Sequence, residues 1–203
     1  MTINLYQNDI PAELKFGNSI AIDTETQGLL LHRDRLCLIQ ISDGNGDAHL
    51  VQFSANRYNA PNLKKLLNTP KTLKIFHFAR FDIAAIRAYL EINCSPIFCT
   101  RIASRLTRTY TNKHGLKDLC AELLDIEISK QQQQSDWASS DLSVDQQKYA
   151  AADVLYLHEL MKILKDRLIR EDRMELAQAC FDFLPSQAEL DLKGWNNEDI
   201  FAH

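Results

Sequence analysis

The spacing of apolar residues changes along the chain, and each change marks an element. An apolar run over residues 19–23 reads as a strand that ends on a carboxylate, and a loop follows over 29–35. Residues 36–41 resume as a strand. Asp43, Gly44, Asn45 and Gly46 form a turn cluster, which makes 48–53 the returning arm of a hairpin. The chain therefore opens as an antiparallel meander of three strands. Pro61 suits a first helical position, and Leu63, Leu66 and Leu67 complete a short amphipathic helix. Residues 73–78 form the next strand and run directly into helical spacing over 80–86. A short strand at 97–99 precedes a helix capped by Thr100. The glutamine run at 131–134 reads as a loop. Ser143 and Gln146 form a capping-box pattern at the head of a helix running to about residue 168, free of Gly and Pro. Tyr149, Asp153, Leu157, Leu160 and Leu164 share one face of it by steps of three and four. A further helix over 172–183 and a tail carrying Trp195, Ile200 and Phe201 complete the chain, the tail docking on the main domain or on a neighbouring subunit.

Strands that alternate with helices imply an α/β domain built on a mixed sheet. The 203 residues, 45% hydrophobic and 25% charged, suit one core with a small appendage. The division expected is 1–168 for the main domain and 169–203 for a helical extension. No apolar run approaches the length of a membrane span, and the N-terminus lacks a signal pattern, so a cytoplasmic protein is expected. The five cysteines are scattered, without a C-x-x-C pair, and read as reduced thiols. A net charge of -4 disfavours nonspecific coating of long nucleic acid but leaves room for a short substrate held through metal ions.

The candidate chemistry is carried by acids at element ends. Asp23 and Glu25, two residues apart on an extended chain, project to one side. Asp82 sits at a strand-to-helix junction, where a lone Asp is more often a helix-dipole partner. Asp153 and Tyr149 lie one turn apart at the end of a core-facing stripe, where an unpaired carboxylate demands a partner, either a basic residue or a metal. Four acids gathered at one sheet edge would repel one another unless divalent cations, Mg²⁺ or Mn²⁺, sat between them. Residues 101–117 hold Arg101, Arg105, Arg108, Lys113, His114 and Lys117 with no acid, a local basic stretch with Tyr110 among it.

D-T-E-T-Q-G-L at 23–29, H-F-A-R-F-D at 77–82 and Y-A-A-A-D at 149–153 resemble the three exonuclease motifs of the DEDD superfamily, ribonuclease D branch. Tyr149, four residues before Asp153, is similar to the tyrosine subgroup; the histidine subgroup would carry His where Lys148 stands. The length, together with R-T-Y-T-N-K-H-G-L-K at 108–117, S-K-Q-Q-Q-Q-S-D-W at 129–137 and the G-W-N-N-E-D-I-F-A-H end, resembles the short bacterial oligoribonucleases of the nanoRNase C type. Ser140 and Asp141 stand where ribonuclease D commonly has Arg-Pro, a departure that favours the short-substrate group.

The resemblance implies a ribonuclease H-like exonuclease fold with a central mixed sheet flanked by helices. It implies a 3'-5' exoribonuclease that shortens oligoribonucleotides, down to dinucleotides, to nucleoside 5'-monophosphates with two divalent ions. Asp23, Glu25, Asp82 and Asp153 would be the metal ligands, and Tyr149 would orient the attacking water. Leu29 would wedge between the last two bases, with Thr24 and Gln27 beside the terminal sugar. His77, Phe81 and Trp137 are candidate substrate contacts whose competing reading is a packed core side chain, and Arg108, Tyr110, Lys113 and His114 are the candidates for phosphate. A homo-octameric ring is also implied. A DNA exonuclease, a ribonuclease D-type RNA processing enzyme and a non-catalytic RNA-binding module are the competing readings.

Overall fold

A computed structural model describes the chain except for Met1, Asn56, Lys130 and Gln133. Lys130 and Gln133, in and beside the glutamine run read as a loop, therefore lie outside the described residues. Six strands form one sheet: β1 (Ile3–Gln7), β2 (Ser19–Thr26), β3 (Leu36–Ser42), β4 (Ala48–Gln52), β5 (Leu73–Phe76) and β6 (Ile97–Cys99), in the order β1-β4-β3-β2-β5-β6. The expected meander is present, with β3 antiparallel to both β2 and β4. The pairs β1/β4, β2/β5 and β5/β6 are parallel, so β3 alone runs against the rest. The α/β mixed sheet is the one expected from the element order, except that β1 adds an edge strand that the polar N-terminus does not announce.

Among the described residues seven α-helices flank the sheet: α1 (Pro61–Asn68), α2 (Ala79–Leu90), α3 (Thr100–Thr107), α4 (Leu116–Leu124), α5 (Val144–Leu155), α6 (Leu157–Arg170) and α7 (Met174–Leu190). Pro61 opens α1 as its composition suggests, and Asp9 caps it from a distance by accepting from the backbone N–H groups of Asn62 (3.0 Å) and Leu63 (2.8 Å). Cys99, not Thr100, is the residue before α3. Thr100 is drawn inside because its hydroxyl donates instead to the Phe76 carbonyl (3.1 Å). The capping box of α5 is complete in both directions: Ser143 Oγ accepts from Gln146 N (3.2 Å) and Gln146 Oε1 from Ser143 N (2.9 Å).

The long helix expected from 143 to 168 is two helices. Tyr156 (φ -101°, ψ -5°) separates them, although neither Gly nor Pro is present to force a break. The cause is tertiary. α5 packs on β2, β3 and β4, whereas α6 follows α3, α4 and β5, and one straight rod cannot serve both sets of neighbours. Leu157, Leu160, Leu164 and Leu168 are buried along α6.

The helix expected at 172–183 extends to Leu190 and continues as one π-helical turn, Asp191–Trp195. α7 packs against α2, α3, α6 and β6, and its Ala177, Phe181, Leu184 and Ala188 join the main core. Phe181 lies 4.8 Å from Phe98, centroid to centroid. Replacement of Phe181 by Ala removes a fully enclosed ring and should cost about 3–5 kcal/mol. Urea unfolding should remain one cooperative transition at a lower midpoint; two separated transitions would show that the C-terminal helix is an independent unit.

Candidate active site

The end of β2 is where the two faces of the sheet meet the acids. Cross-strand partners share a face, and Asp23 is opposite Gln40, and Glu25 opposite Leu38. Leu38 packs with Leu50, Trp137 and Ala150, so Asp23 and Glu25 look toward α5. Thr24, between them, points to the other face and donates to Asp82 Oδ1 of α2 (2.7 Å). A single hydroxyl thus ties the helix-borne carboxylate to the strand that bears the other two. Gln40, fully buried, donates to Asp23 Oδ2 (3.3 Å) from the adjacent strand.

Asp153 of α5 reaches the same place. Asp23, Glu25 and Asp153 each offer a carboxylate oxygen, and these oxygens lie within 4.8 Å of one another. Together with Asp82, Tyr149, Thr24, Leu29, His77 and Phe81 they line one cavity of about 340 Å³. None of the ion pairs among the described residues involves Asp23, Glu25 or Asp82.

The electrostatic consequence is severe. Burial, then the neighbouring Asp82, Asp153 and Glu25 charges, push Asp23 well above the ordinary carboxylate range. Glu25 rises to about 9, first through burial and then through Asp153 and Asp82. Asp82 rises to about 7 through burial, opposed by the hydrogen bond from Thr24. The Tyr149 phenol is also pushed up, by burial and by the surrounding carboxylates, Asp153 foremost. Such a set is made tolerable by divalent cations, and its donors are all hard oxygens of the kind that Mg²⁺ and Mn²⁺ prefer. The residues fit a divalent metal centre.

The loop after β2 is shaped to present Leu29, which is 82% exposed. Asp34 pins it by accepting from Leu30 N (2.9 Å) and from Arg33 (2.6 and 2.9 Å). A Cβ at position 28 would come within 2.4 Å of the Asp34 carboxylate, so Gly28 is required for this close approach. Phe78, just before α2, adopts left-handed backbone (φ 66°), a costly conformation for a bulky residue, and leaves its ring 48% exposed. His77 is anchored to Thr100: that hydroxyl gives its proton to Phe76 O and so accepts from His77 Nδ1 (2.9 Å).

Several expected substrate contacts lie elsewhere. Arg108 and His114 correct the expectation that they bind phosphate, because both are buried and engaged. Arg108 donates to Ser104 Oγ (3.0 Å), to the Lys113 carbonyl (2.6 Å) and to Glu122, and His114 Nδ1 is 2.8 Å from Ser104 Oγ. Tyr110 is exposed, but its hydroxyl donates to Glu122 (2.6 Å), and neither it nor Lys113 lines the acid cavity. Gln27 is exposed outside the cavity, its backbone N–H held by the Arg35 carbonyl (3.0 Å). Trp137 is interior, its ring 6.0 Å from that of Tyr149, and it supports the phenol from behind. The basic residues that do line the cavity are Arg101 and Lys117, with the Arg101 guanidinium 4.5 Å from the centre of the Phe78 ring. Both belong to the basic stretch already noted, but nothing in that stretch distinguishes inward from outward positions.

A family model described as a 3'-5' exonuclease matches residues 5–169. The chain belongs to the 3'-5' exonuclease family, in the DEDD superfamily. The chain is similar to ribonuclease D and to NrnC. Ribonuclease D of Gluconacetobacter diazotrophicus is 31% identical over 156 residues, 77% of this chain and 39% of the relative. The chain thus spans about two fifths of that relative's length. Two solved structures are similar over all of this chain: Brucella melitensis NrnC with bound Mg²⁺ (53% identity, all of that chain, TM-score 0.95) and the same protein bound to pGG (54% identity, 99% of that chain, TM-score 0.97).

The raised carboxyls have a measurable consequence without metal. A folded carboxyl with a pKa above its unfolded value binds more protons than the unfolded chain, so its contribution is present below about pH 4 and is lost as pH climbs through the folded value. With Asp82 near 7 and Glu25 near 9, the melting temperature in chelator should fall between pH 5 and pH 9, by at least several degrees. Asp153→Asn should flatten that slope. A metal-free melting temperature that stays constant or climbs over this range contradicts the crowded-acid site.

Proposed function

We propose that the protein is a metal-dependent 3'-5' exoribonuclease of short oligoribonucleotides, down to dinucleotides, releasing nucleoside 5'-monophosphates. The observation that carries this reading is the convergence of Asp23, Glu25, Asp82, Asp153 and Tyr149 on one cavity rimmed by Leu29, Phe78 and Arg101. The similar protein solved with pGG supports a short RNA as substrate.

Asp23, Glu25 and Asp153 would hold one cation, with Asp23 and Asp82 reaching a second. Two Mg²⁺ or Mn²⁺ ions bound there would acidify water and offset the charge developing on the phosphate oxygens. The protein's own part is positional. Thr24 keeps Asp82 turned inward, and Gln40 orients Asp23. Tyr149, whose ordinary phenol pKa is about 10, keeps its proton near neutral pH and acts as a hydrogen-bond partner that orients the attacking water, not as a base. Trp137 packs beside that ring. Leu29 separates the two bases that flank the cleaved bond, and Arg101 and Lys117 at the rim meet phosphate.

The exposed Trp195, Ile200 and Phe201 of the tail support self-association, as a homo-octameric ring on the family resemblance. A cytoplasmic location follows from the RNA substrate; no described helix is long and apolar enough to cross a membrane. A DNA-directed reading has its own support, since DNA polymerase I of Aquifex aeolicus is 35% identical over 147 residues, though this is 24% of that relative.

On 5'-labelled RNA of two to twenty residues, products should shorten stepwise from the 3' end with Mg²⁺ or Mn²⁺ and vanish with chelator. Internal cuts, or hydrolysis that persists in chelator, contradict the reading; a strong preference for 2'-deoxy dinucleotides reassigns the substrate to DNA. Tyr149→Phe should lower kcat by about 10²-fold with little change in KM. Light scattering should give an octamer mass, and a monomer at working concentration removes the ring.

A further inference from the structure

The segment from Asp136 to Leu142 contains neither helix nor strand, yet side chains hold most of its carbonyls. Gln146 Nε2 donates to the Asp136 carbonyl (3.2 Å), Arg35 to that of Ala138 (3.2 Å) and Gln147 Nε2 to that of Leu142 (2.9 Å). Gln52 Nε2 takes two, those of Ser139 (2.8 Å) and Ser140 (3.3 Å). Residues 138–140 and the sheet end, including Gln7, Arg35 and Gln52, line a common cavity of about 320 Å³. Hydrogen bonds, rather than close packing, therefore fasten this part of the segment to the sheet.

The sheet register sets this clasp in line with the acids. Gln7 is opposite Gln52, Gln52 opposite Leu38 and Leu38 opposite Glu25, one cross-strand row over β1, β4, β3 and β2. Leu38 packs with Trp137, so the row runs from the clasp, through the seat of that indole, to a site carboxylate. The direction of the Gln52 amide is forced. Carbonyls only accept, so its NH₂ faces Ser139 and Ser140 and its Oε1 faces Gln7, whose Nε2 donates to it (2.9 Å). The edge strand β1 thus supplies the group that completes a buried amide, which would be costly to leave unpaired. Arg35 adds a second tie, since its guanidinium also donates to the Phe53 carbonyl (3.0 Å) and so joins the exit of β4 to the segment.

The segment carries Trp137, which is 3% exposed and has its ring centre 6.0 Å from that of Tyr149. We propose that Gln52, supported by Gln7, and Arg35 are positioning residues for Tyr149: through the carbonyls of residues 138–140 they hold Trp137 against the phenol ring. The inference rests on the exonuclease reading and deepens it. None of the three side chains lines the acid cavity, so each acts on the chemistry through Trp137. Gln146 binds the same segment to the first turn of α5, three residues before Tyr149, and the segment and that helix end are held as one piece.

Gln52→Met keeps the side-chain volume and removes the donor, and Gln7→Met removes only the support, from an exposed position that leaves the fold intact. Cleavage of an RNA dinucleotide at saturating Mg²⁺ is measured for both variants in the wild-type and Tyr149→Phe backgrounds, with acrylamide quenching of tryptophan fluorescence in parallel. Gln52→Met should lower kcat about tenfold with KM little changed, and Gln7→Met about threefold. In the Tyr149→Phe background, which keeps the ring, Gln52→Met should lower kcat by less than about twofold further, because the hydroxyl it positions is already absent. Fluorescence that acrylamide leaves unquenched belongs to Trp137, since Trp195 is 42% exposed, and this fraction should fall in Gln52→Met. An unchanged kcat in both variants, or the same loss in both backgrounds, overturns the positioning role; the second result is what a merely structural clasp would give. An unquenched fraction equal to that of the wild type also overturns it, and that measurement stands whether or not the protein cleaves RNA. A wild-type protein that leaves RNA of every length intact sinks the exonuclease reading, and the role for Tyr149 with it.

Discussion

Repulsion among carboxylates is the constraint around which this protein is arranged. Asp23, Glu25 and Asp153 place oxygens within 4.8 Å of one another, and Asp82 faces the same cavity. No ordinary core would keep them there, because partly buried like charges disfavour the folded state. The surrounding structure supplies the compensation. The sheet fixes two acids on one strand, and helices on opposite faces bring one each. Divalent cations, which hard oxygen ligands favour, would remove the remaining cost.

The two faces of the sheet meet at the end of β2, which explains why the site is there. Strand alternation sends Asp23 and Glu25 toward α5 and Thr24 toward α2. A carboxylate from either helix can reach the strand end without crossing the sheet. Thr24 is therefore as much a part of the site as the acids beside it, since its hydroxyl decides which way Asp82 points.

Much of this is legible in the sequence because the motifs are short and act locally. The acid-x-acid pair, the strand-to-helix junction at Asp82, the capping box that opens α5 and the one-turn spacing of Tyr149 and Asp153 all depend on neighbours a few residues away. What is not legible depends on distant contacts. β1 is a five-residue edge strand, and the alternation of Ile3, Asn4 and Leu5 is too short to mark it without its partner β4. The break at Tyr156 comes from the different neighbours of α5 and α6. Arg108 reads as a surface cation in a basic stretch, yet it is fully buried because Glu122, Ser104 and the Lys113 carbonyl surround it. Arg101, seven residues earlier in the same stretch, lines the active cavity instead. Composition cannot separate these two arginines; only the packing of α3 does.

The C-terminal residues follow the same logic. α7 carries core side chains and packs along α2, and the turn beyond it is tied to α2 by Arg80. The central claim remains the metal-bearing carboxylate cluster, and anomalous diffraction at the manganese edge, from crystals grown with Mn²⁺, addresses it most directly. The protein should show an anomalous peak within bonding distance of Asp23, Glu25 and Asp153. Manganese that saturates other acidic groups while leaving this cluster without a peak would contradict it.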